Sequence, residues 1–167
     1  MFINTKRTVP YIEIIIAFII YLFHYTSLID ITILGISPII LLPLTVAVAM
    51  FYNELTGLLF GLCCGFAIDA VAASTSVFNT LAFMFIGFIA GLLAKHIFNR
   101  NLPASIALTM LSEIAYFGAK WLIFAIIPDV QGKVYHLLWN LTPSAVYTLI
   151  FIIPIYFLEK MLHKEKK

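Results

Sequence analysis

Three ionisable side chains fall inside apolar stretches of the sequence, and they are the residues best placed to do chemistry. They are Asp69, Glu113 and Lys120. A charge at the centre of a lipid bilayer costs about 2.5–3.5 kcal/mol on insertion scales, so each is a functional-site candidate by default. Glu113 and Lys120 are two helical turns apart, about 10 Å of rise, which is too far for a tight ion pair. Asp69 and Lys120 are both predicted near the outer ends of outward-running helices, so they could pair across a bundle; the alternative places Asp69 among the outer lipid headgroups.

Few other residues suit catalysis or metal binding. Cys63 and Cys64 are adjacent, so they offer only a strained disulfide, and no second pair of Cys or His supplies metal-site spacing. The sequence has no phosphate-binding glycine loop, no His-Glu-x-x-His and no Gly-x-Ser-x-Gly. Nothing in it favours a nucleic-acid partner. We therefore expect a protein that is not an enzyme, holds no cofactor or metal, and acts by binding or transport.

A series of small residues at four-residue steps leads to Asp69. Gly57, Gly61 and Gly65 lie on one side of an α-helix, stacked turn over turn. Helices associate in lipid by close backbone approach, which small residues permit. The spacing therefore predicts a helix-packing ridge, and Gly87 and Gly91 repeat it in the next apolar run. The alternative is that glycine is frequent in transmembrane helices in any case.

Composition sets the class of the protein that must position these residues. The 167-residue chain is 63% hydrophobic and 11% charged, and its mean hydropathy is +1.07. Apolar runs of 18 or more residues are candidate transmembrane helices. We predict a single transmembrane domain, residues 1–167, that is an all-α integral membrane protein: a compact bundle of six transmembrane helices. The predicted spans are residues 9–29, 37–52, 55–73, 77–98, 103–128 and 142–160.

The basic residues predict the orientation of this bundle. With six spans and the N-terminus inside, eight of the ten Lys and Arg residues fall in inside loops and tails. An excess of Lys and Arg marks the cytoplasmic side. We therefore expect a multi-pass membrane protein with both termini in the cytoplasm. The second and third runs are short, and Pro43 leaves open whether the second spans with a kink or forms a partly re-entrant pair with the third.

Polar and aromatic residues are predicted to gather on the outer side. Residues 134–141 form an interfacial segment, since aromatic side chains concentrate at membrane–water interfaces. Candidates for an outer pocket or a partner contact are Asn79, Tyr135, His136 and Trp139.

The ridge also resembles a known family. Gly57-x3-Gly61-x3-Gly65-Phe-x2-Asp69 is similar to the central signature of the rod-shape-determining protein MreD family, and Asn79-Thr-Leu-Ala82 and Ile86-Gly87-Phe-Ile-Ala-Gly91 continue the likeness. The resemblance implies a non-enzymatic membrane scaffold of the bacterial cell-elongation complex, or elongasome. Such a subunit supports lateral peptidoglycan synthesis and cell shape beside MreC, a single-pass partner, and the peptidoglycan synthases.

A second class of protein has the same architecture. The substrate-capture subunits of energy-coupling-factor-type vitamin transporters are also compact six-helix bundles of this size, and MreD proteins resemble them. Such a subunit needs a polar and aromatic outer pocket, which the outer candidates could supply. It also needs small residues on its first helix for docking, and here that helix is rich in Ile, with only Ala17.

Overall fold

The structure is a computed structural model that describes residues 39–71, 77–97, 101–126, 148 and 150–161. Within these ranges the chain is helical apart from short turns, with no β-strand. Helix α1 is Leu41–Phe51, α2 is Glu54–Val71, α3 is Phe78–His96 and α4 is Leu102–Ile126. Helix α5 comprises residues 150–161, with Thr148 helical just before it. The predicted first span (9–29) and interfacial segment (134–141) lie outside the described residues, so the six-span bundle stays a prediction.

Two of the described helices are long and apolar enough to cross a membrane. They are Phe78–His96, which is α3, and Leu102–Leu122 within α4. The all-helical prediction is thus confirmed for the described residues, and the two apolar helices indicate association with a membrane.

Helix α1 is the centre of the described structure. All eleven of its residues are buried, and it packs against α2, α3 and α4. The Phe51 ring also lies 5.5 Å from the Tyr156 ring of α5, centroid to centroid. A helix that is apolar on every side belongs in an interior. Its buried Thr45 is accommodated because the hydroxyl donates to the Leu41 carbonyl at 2.8 Å.

The start of α1 differs from the sequence-based expectation. The predicted second span begins at residue 37, whereas the helix begins at Leu41. Pro43 is consequently the third helical residue. The first four amides of a helix have no partner within it, so a proline there removes no helical hydrogen bond and causes no kink. Eleven residues rise only about 16 Å, roughly half the hydrocarbon thickness of a bilayer.

Helices α2 and α3 form the most extensive contact in the described structure. Gly57 lies against Gly87, Gly61 against Phe83, and Gly65 against Asn79 and Thr80. Each four-residue step forward along α2 is matched by four residues backward along α3. The two helices are therefore antiparallel neighbours. This seam brings the last turn of α2 beside the first turn of α3.

Candidate functional site

The α2–α3 seam has no room for a side chain at its glycines. A Cβ added to Gly57 would lie 2.5 Å from the Gly87 carbonyl oxygen. One added to Gly61 would overlap the Phe83 carbonyl, and one added to Gly87 would overlap that of Gly57. Gly91 is as confined, since its Cβ would lie 2.6 Å from the Glu54 Cα. These glycines allow backbone-to-backbone contact, and this contact fixes the position of Asp69 at the end of α2.

Asp69 caps the N-terminus of the neighbouring helix. Its side chain is only 6% exposed. Oδ2 accepts hydrogen bonds from the Thr80 amide at 2.8 Å and the Thr80 hydroxyl at 2.6 Å. Oδ1 accepts from the Asn79 side-chain amide at 2.8 Å and the Asn79 backbone amide at 3.3 Å. Helix α3 has no side-chain cap of its own from Val77, so a carboxylate from another helix satisfies amides of its first turn.

The electrostatics of this arrangement favour an ionised carboxylate. The N-terminus of a helix carries a partial positive charge, and its free amides point along the helix axis toward an anion. Four donors converge on the two oxygens, and hydrogen bonds to a charged acceptor are about twice as strong as those between neutral groups. Such bonds offset the cost of burying the charge.

Tyr116 of α4 extends this hydrogen-bond network to a third helix. Its hydroxyl donates to the Asn79 Oδ1 at 2.7 Å. Its ring packs against Phe83 edge-on at 5.8 Å and lies 5.8 Å from the Phe78 ring, centroid to centroid. The Lys120 ammonium lies 5.8 Å from the centroid of the same ring, one turn further along α4. We call Asp69, Asn79, Thr80, Tyr116 and Lys120 the Asp69 network.

The expected ion pair between Asp69 and Lys120 is not formed. Both carboxylate oxygens of Asp69 are occupied by Asn79 and Thr80, and Lys120 instead lies over an aromatic ring. The two residues belong to one network, but Tyr116 and Asn79 stand between them. The alternative, in which Asp69 lies at the depth of the outer lipid headgroups, stays a prediction, although its side chain is buried against α3. The ion pair is absent because α3 supplies closer donors than α4 does.

Glu113 lies elsewhere on α4, in the interior. Its side chain is 2% exposed, and its Oε1 accepts a hydrogen bond from the Thr148 hydroxyl at 2.9 Å. Glu113 therefore joins α4 to the segment that begins α5. It does not belong to the Asp69 network.

The opposite end of the α2–α3 seam carries an ion pair. The Lys95 ammonium donates to the Glu54 Oε1 at 2.9 Å, and this is the salt bridge found among the described residues. The hydrogen bond from Lys95 holds the pKa of Glu54 below its ordinary value. Asn53 caps α2 beside it, since its Oδ1 accepts from the Thr56 amide at 2.8 Å and the Thr56 hydroxyl at 2.9 Å. This pair closes the seam where α2 begins and α3 ends.

The remaining predicted contact residues are only partly placed. Asn79 lies in the Asp69 network, whereas Tyr135, His136 and Trp139 lie outside the described residues. Sequence reasoning missed Thr80 and Tyr116. A signal for Thr80 was its place in the first turn of the predicted span 77–98, where backbone amides have no partner within the helix. Tyr116 lies one turn before Lys120, where the two side chains share a helix face.

The arrangement is suited to holding helices together. No group of three His, Cys, Asp or Glu side chains that could hold a metal ion is found among the described residues. The Asp69 network joins three helices through a carboxylate, an amide and a phenol.

Comparison of the chain with protein-family models, with curated proteins and with solved structures finds no match.

Proposed function

We propose that this protein is a non-enzymatic scaffold of the bacterial cell-elongation complex, a multi-pass subunit of the cytoplasmic membrane that binds an MreC-like single-pass partner. In this proposal the chain crosses the membrane six times with both termini in the cytoplasm. It supports lateral peptidoglycan synthesis by keeping its partner, and through it the synthases, in one assembly. The proposal rests on the resemblance of the Gly57-to-Asp69 pattern to the MreD family.

The observation that supports it best is how the motif residues are used. The three glycines seat α2 on α3, and the aspartate that ends the pattern caps α3. The glycines and the aspartate of the motif thus all serve to fix one helix pair. A firmly fixed helix pair is what a scaffold requires.

The outward faces of this pair suit contact with lipid or another helix. Exposed apolar side chains follow each helix at spacings of three or four residues: Leu55, Leu59, Leu62 and Phe66 on α2, and Leu81, Phe85 and Ile89 on α3. A single-pass partner could lie along one of these rows. In lipid no hydrophobic effect drives two helices together, so such a contact would depend on complementary shape and on polar groups near the helix ends.

The alternative function is the substrate-capture subunit of an energy-coupling-factor-type vitamin transporter. One observation favours it: Lys120 has no anionic partner among the described residues, so it could face a substrate carboxylate or phosphate. Against it, the side-chain amide of Asn79 is already bonded to Asp69 and Tyr116.

A depletion experiment tests the proposal against this alternative. The gene is placed under a repressible promoter in its rod-shaped host, and cell width and uptake of labelled vitamins are followed in one culture. The scaffold proposal expects rounding of the cells while uptake per unit of membrane stays constant. Cells that remain rods but lose uptake of one vitamin would overturn it in favour of the transporter. As a control, the depleted strain is complemented with a copy of the gene that carries Gly118→Ala. This copy should restore the rod shape, because Gly118 has no neighbour within 4 Å of its Cβ position.

A further inference from the structure

A cleft opens at the end of the seam where α1 ends, α2 begins and α3 ends. Its volume is about 150 Å³. The apolar wall comes from the last turns of α1 and α3, through Ala49, Met50, Gly91 and Ala94. The polar rim consists of Tyr52, Asn53 and the Glu54–Lys95 ion pair. The cleft is therefore bordered by three helices and carries one charge of each sign.

The negative side of this cleft is incompletely matched. Glu54 Oε1 accepts from Lys95, but Oε2 is enclosed and has no hydrogen-bond partner among the described residues. An enclosed carboxylate oxygen without a donor is costly, and the carboxylate turns easily about its last bond. The last carbonyls of α1 and α3 add partial negative charge, because the C-terminal end of a helix carries it. A ligand with a cationic N–H donor would supply the missing hydrogen bond to Glu54 and would interact favourably with these carbonyls.

The positive side of the cleft faces outward. The Lys95 side chain is 57% exposed, so its ammonium keeps donors available beyond the one given to Glu54. His96 follows it and is also exposed. A ligand that carries an anion close to its cationic N–H donor would fit here, and a phosphate diester can be that anion.

Apolar side chains stand next to both charged residues. Leu55, which follows Glu54, is 65% exposed, and Ile97, two residues after Lys95, is 69% exposed. Helix α3, which ends here, is long and apolar enough to cross a membrane. Charged groups beside exposed apolar ones at the end of such a helix place the cleft at the level of lipid headgroups.

We propose that this cleft binds the headgroup of a phospholipid with a primary ammonium, chemically a phosphoethanolamine. Glu54 and the helix carbonyl ends receive the ammonium, Lys95 receives the phosphate, and the acyl chains run along the apolar side chains beside the rim. The inference rests on the membrane location in the proposed function, and it is independent of the partner and of the role in cell elongation.

The test uses the purified full chain in mild detergent, depleted of lipid. Phosphatidylethanolamine and phosphatidylcholine with identical acyl chains are titrated, and binding is measured by native mass spectrometry and by the rise in melting temperature. Phosphatidylcholine keeps the positive charge but has no N–H donor. We expect phosphatidylethanolamine to bind about tenfold more tightly, the effect of one hydrogen bond to a charged group. Equal affinities overturn the proposal, and this comparison needs no variant.

Two variants and a soluble headgroup sharpen the result. Glu54→Gln should reduce the preference to about twofold or less, whereas Lys160→Gln, a charge change on α5 outside the cleft, should retain it. A preference that survives Glu54→Gln counts against the assignment. Glycerophosphoethanolamine has the same headgroup without acyl chains, and we expect it to bind at least tenfold more weakly. Binding as tight as that of the lipid would mean that the cleft takes a soluble amine, which also overturns the proposal.

Discussion

At the scale of the residue, Asp69 acts on a helix to which it does not belong. An N-cap side chain normally precedes its own helix by one position. Here the chain that enters α3 offers Val77 at that position, and the carboxylate arrives from the end of α2 instead. The consequence is a link between the folding of two helices, because a side chain of α2 satisfies the Asn79 and Thr80 amides at the start of α3.

The first prediction concerns this cap. Asp69→Asn keeps one acceptor oxygen but replaces the other with an amide nitrogen, which cannot accept from either Asn79 or Thr80, and it removes the charge at the helix N-terminus. We expect the free energy of unfolding to fall by about 1–3 kcal/mol. The measurement is unfolding of the detergent-solubilised protein by titration with a denaturing detergent.

Lys120→Met is the matched control for that variant. It removes a charge from the same network without touching a hydrogen bond of Asp69, and we expect a loss below about 1 kcal/mol, the scale of one cation–π contact. In the double variant the two losses should add to within about 0.5 kcal/mol. A double variant more stable than Asp69→Asn alone would instead support the Asp69–Lys120 ion pair that the sequence suggested.

The second prediction concerns pH at the other end of the seam. Because the pKa of Glu54 is lower in the folded protein than in the unfolded chain, unfolding takes up protons in the acid range. The contribution of the pair is complete above the ordinary glutamate pKa and is lost as the pH falls through the lower, folded-state value. Both side chains reach solvent, so the effect should be small and weakened by salt.

Comparison with Glu54→Gln measures this contribution. The variant should be less stable than the parent at neutral pH, and the difference should vanish once the parent glutamate is protonated. A stability difference that stays constant down to the lowest pH at which both proteins remain folded would show that the charge of Glu54 plays no part.

At the scale of the element, α1 and the seam perform different tasks. Helix α1 fills the interior because it is apolar on all sides. Its own Leu42 and Val46 are fully buried, as is Phe83 of the neighbouring α3. The α2–α3 seam instead relies on having no side chains at all. Dispersion contacts fall off steeply with distance, so the bare ridge gains contact by letting backbones meet.

The third prediction tests that ridge by adding one methyl group. In Gly61→Ala the new Cβ would overlap the Phe83 carbonyl, which is backbone and cannot turn away. We expect separation of the helices at this point and a loss of about 1–3 kcal/mol in unfolding free energy, as for other overpacked sites. The same titration with denaturing detergent measures it.

Gly118→Ala provides a control with the same chemical change in a different place. Gly118 on α4 has open space at its Cβ position, so alanine adds helix propensity worth up to about 1 kcal/mol without a clash. We expect neutral or raised stability. Equal effects of the two substitutions would mean that glycine in this protein is governed by propensity alone and that the seam is not tightly packed.

The helical class of the protein and the glycine contact surface of α2 could be predicted from the sequence, for physical reasons. Four-residue glycine spacing has a direct geometric meaning on a helix, and apolar runs fix the helical class. The register of α2 against α3 follows from no single residue, since it depends on how two surfaces fit. The partner of Asp69 was missed for the same reason: the choice between Lys120 and the first turn of α3 depends on distances that spacing along one chain does not contain.

At the scale of the whole molecule, the two ends of the α2–α3 seam differ in charge and exposure. The Glu54–Lys95 pair and exposed His96 lie at one end of the α2–α3 seam, and the buried Asp69 network lies at the other. In the proposed topology the first end faces the cytoplasm, in agreement with the excess of Lys and Arg in the predicted inside loops and tails. The lipid headgroup site would then lie in the inner leaflet.

The fourth prediction is that both termini are cytoplasmic. In a background with Cys63 and Cys64 replaced by Ala, single cysteines are introduced as Phe2→Cys, Glu165→Cys and Lys133→Cys. With six spans, an impermeant thiol reagent added to spheroplasts should label only the last of these, because residue 133 falls in the predicted outer loop between the fifth and sixth spans. All three should react after the membrane is permeabilised, which controls for buried thiols. Labelling at position 2 or 165 in sealed cells would contradict the six-span topology, and labelling at only one of the two would favour an odd number of spans, since an odd number puts the ends of the chain on opposite sides of the membrane.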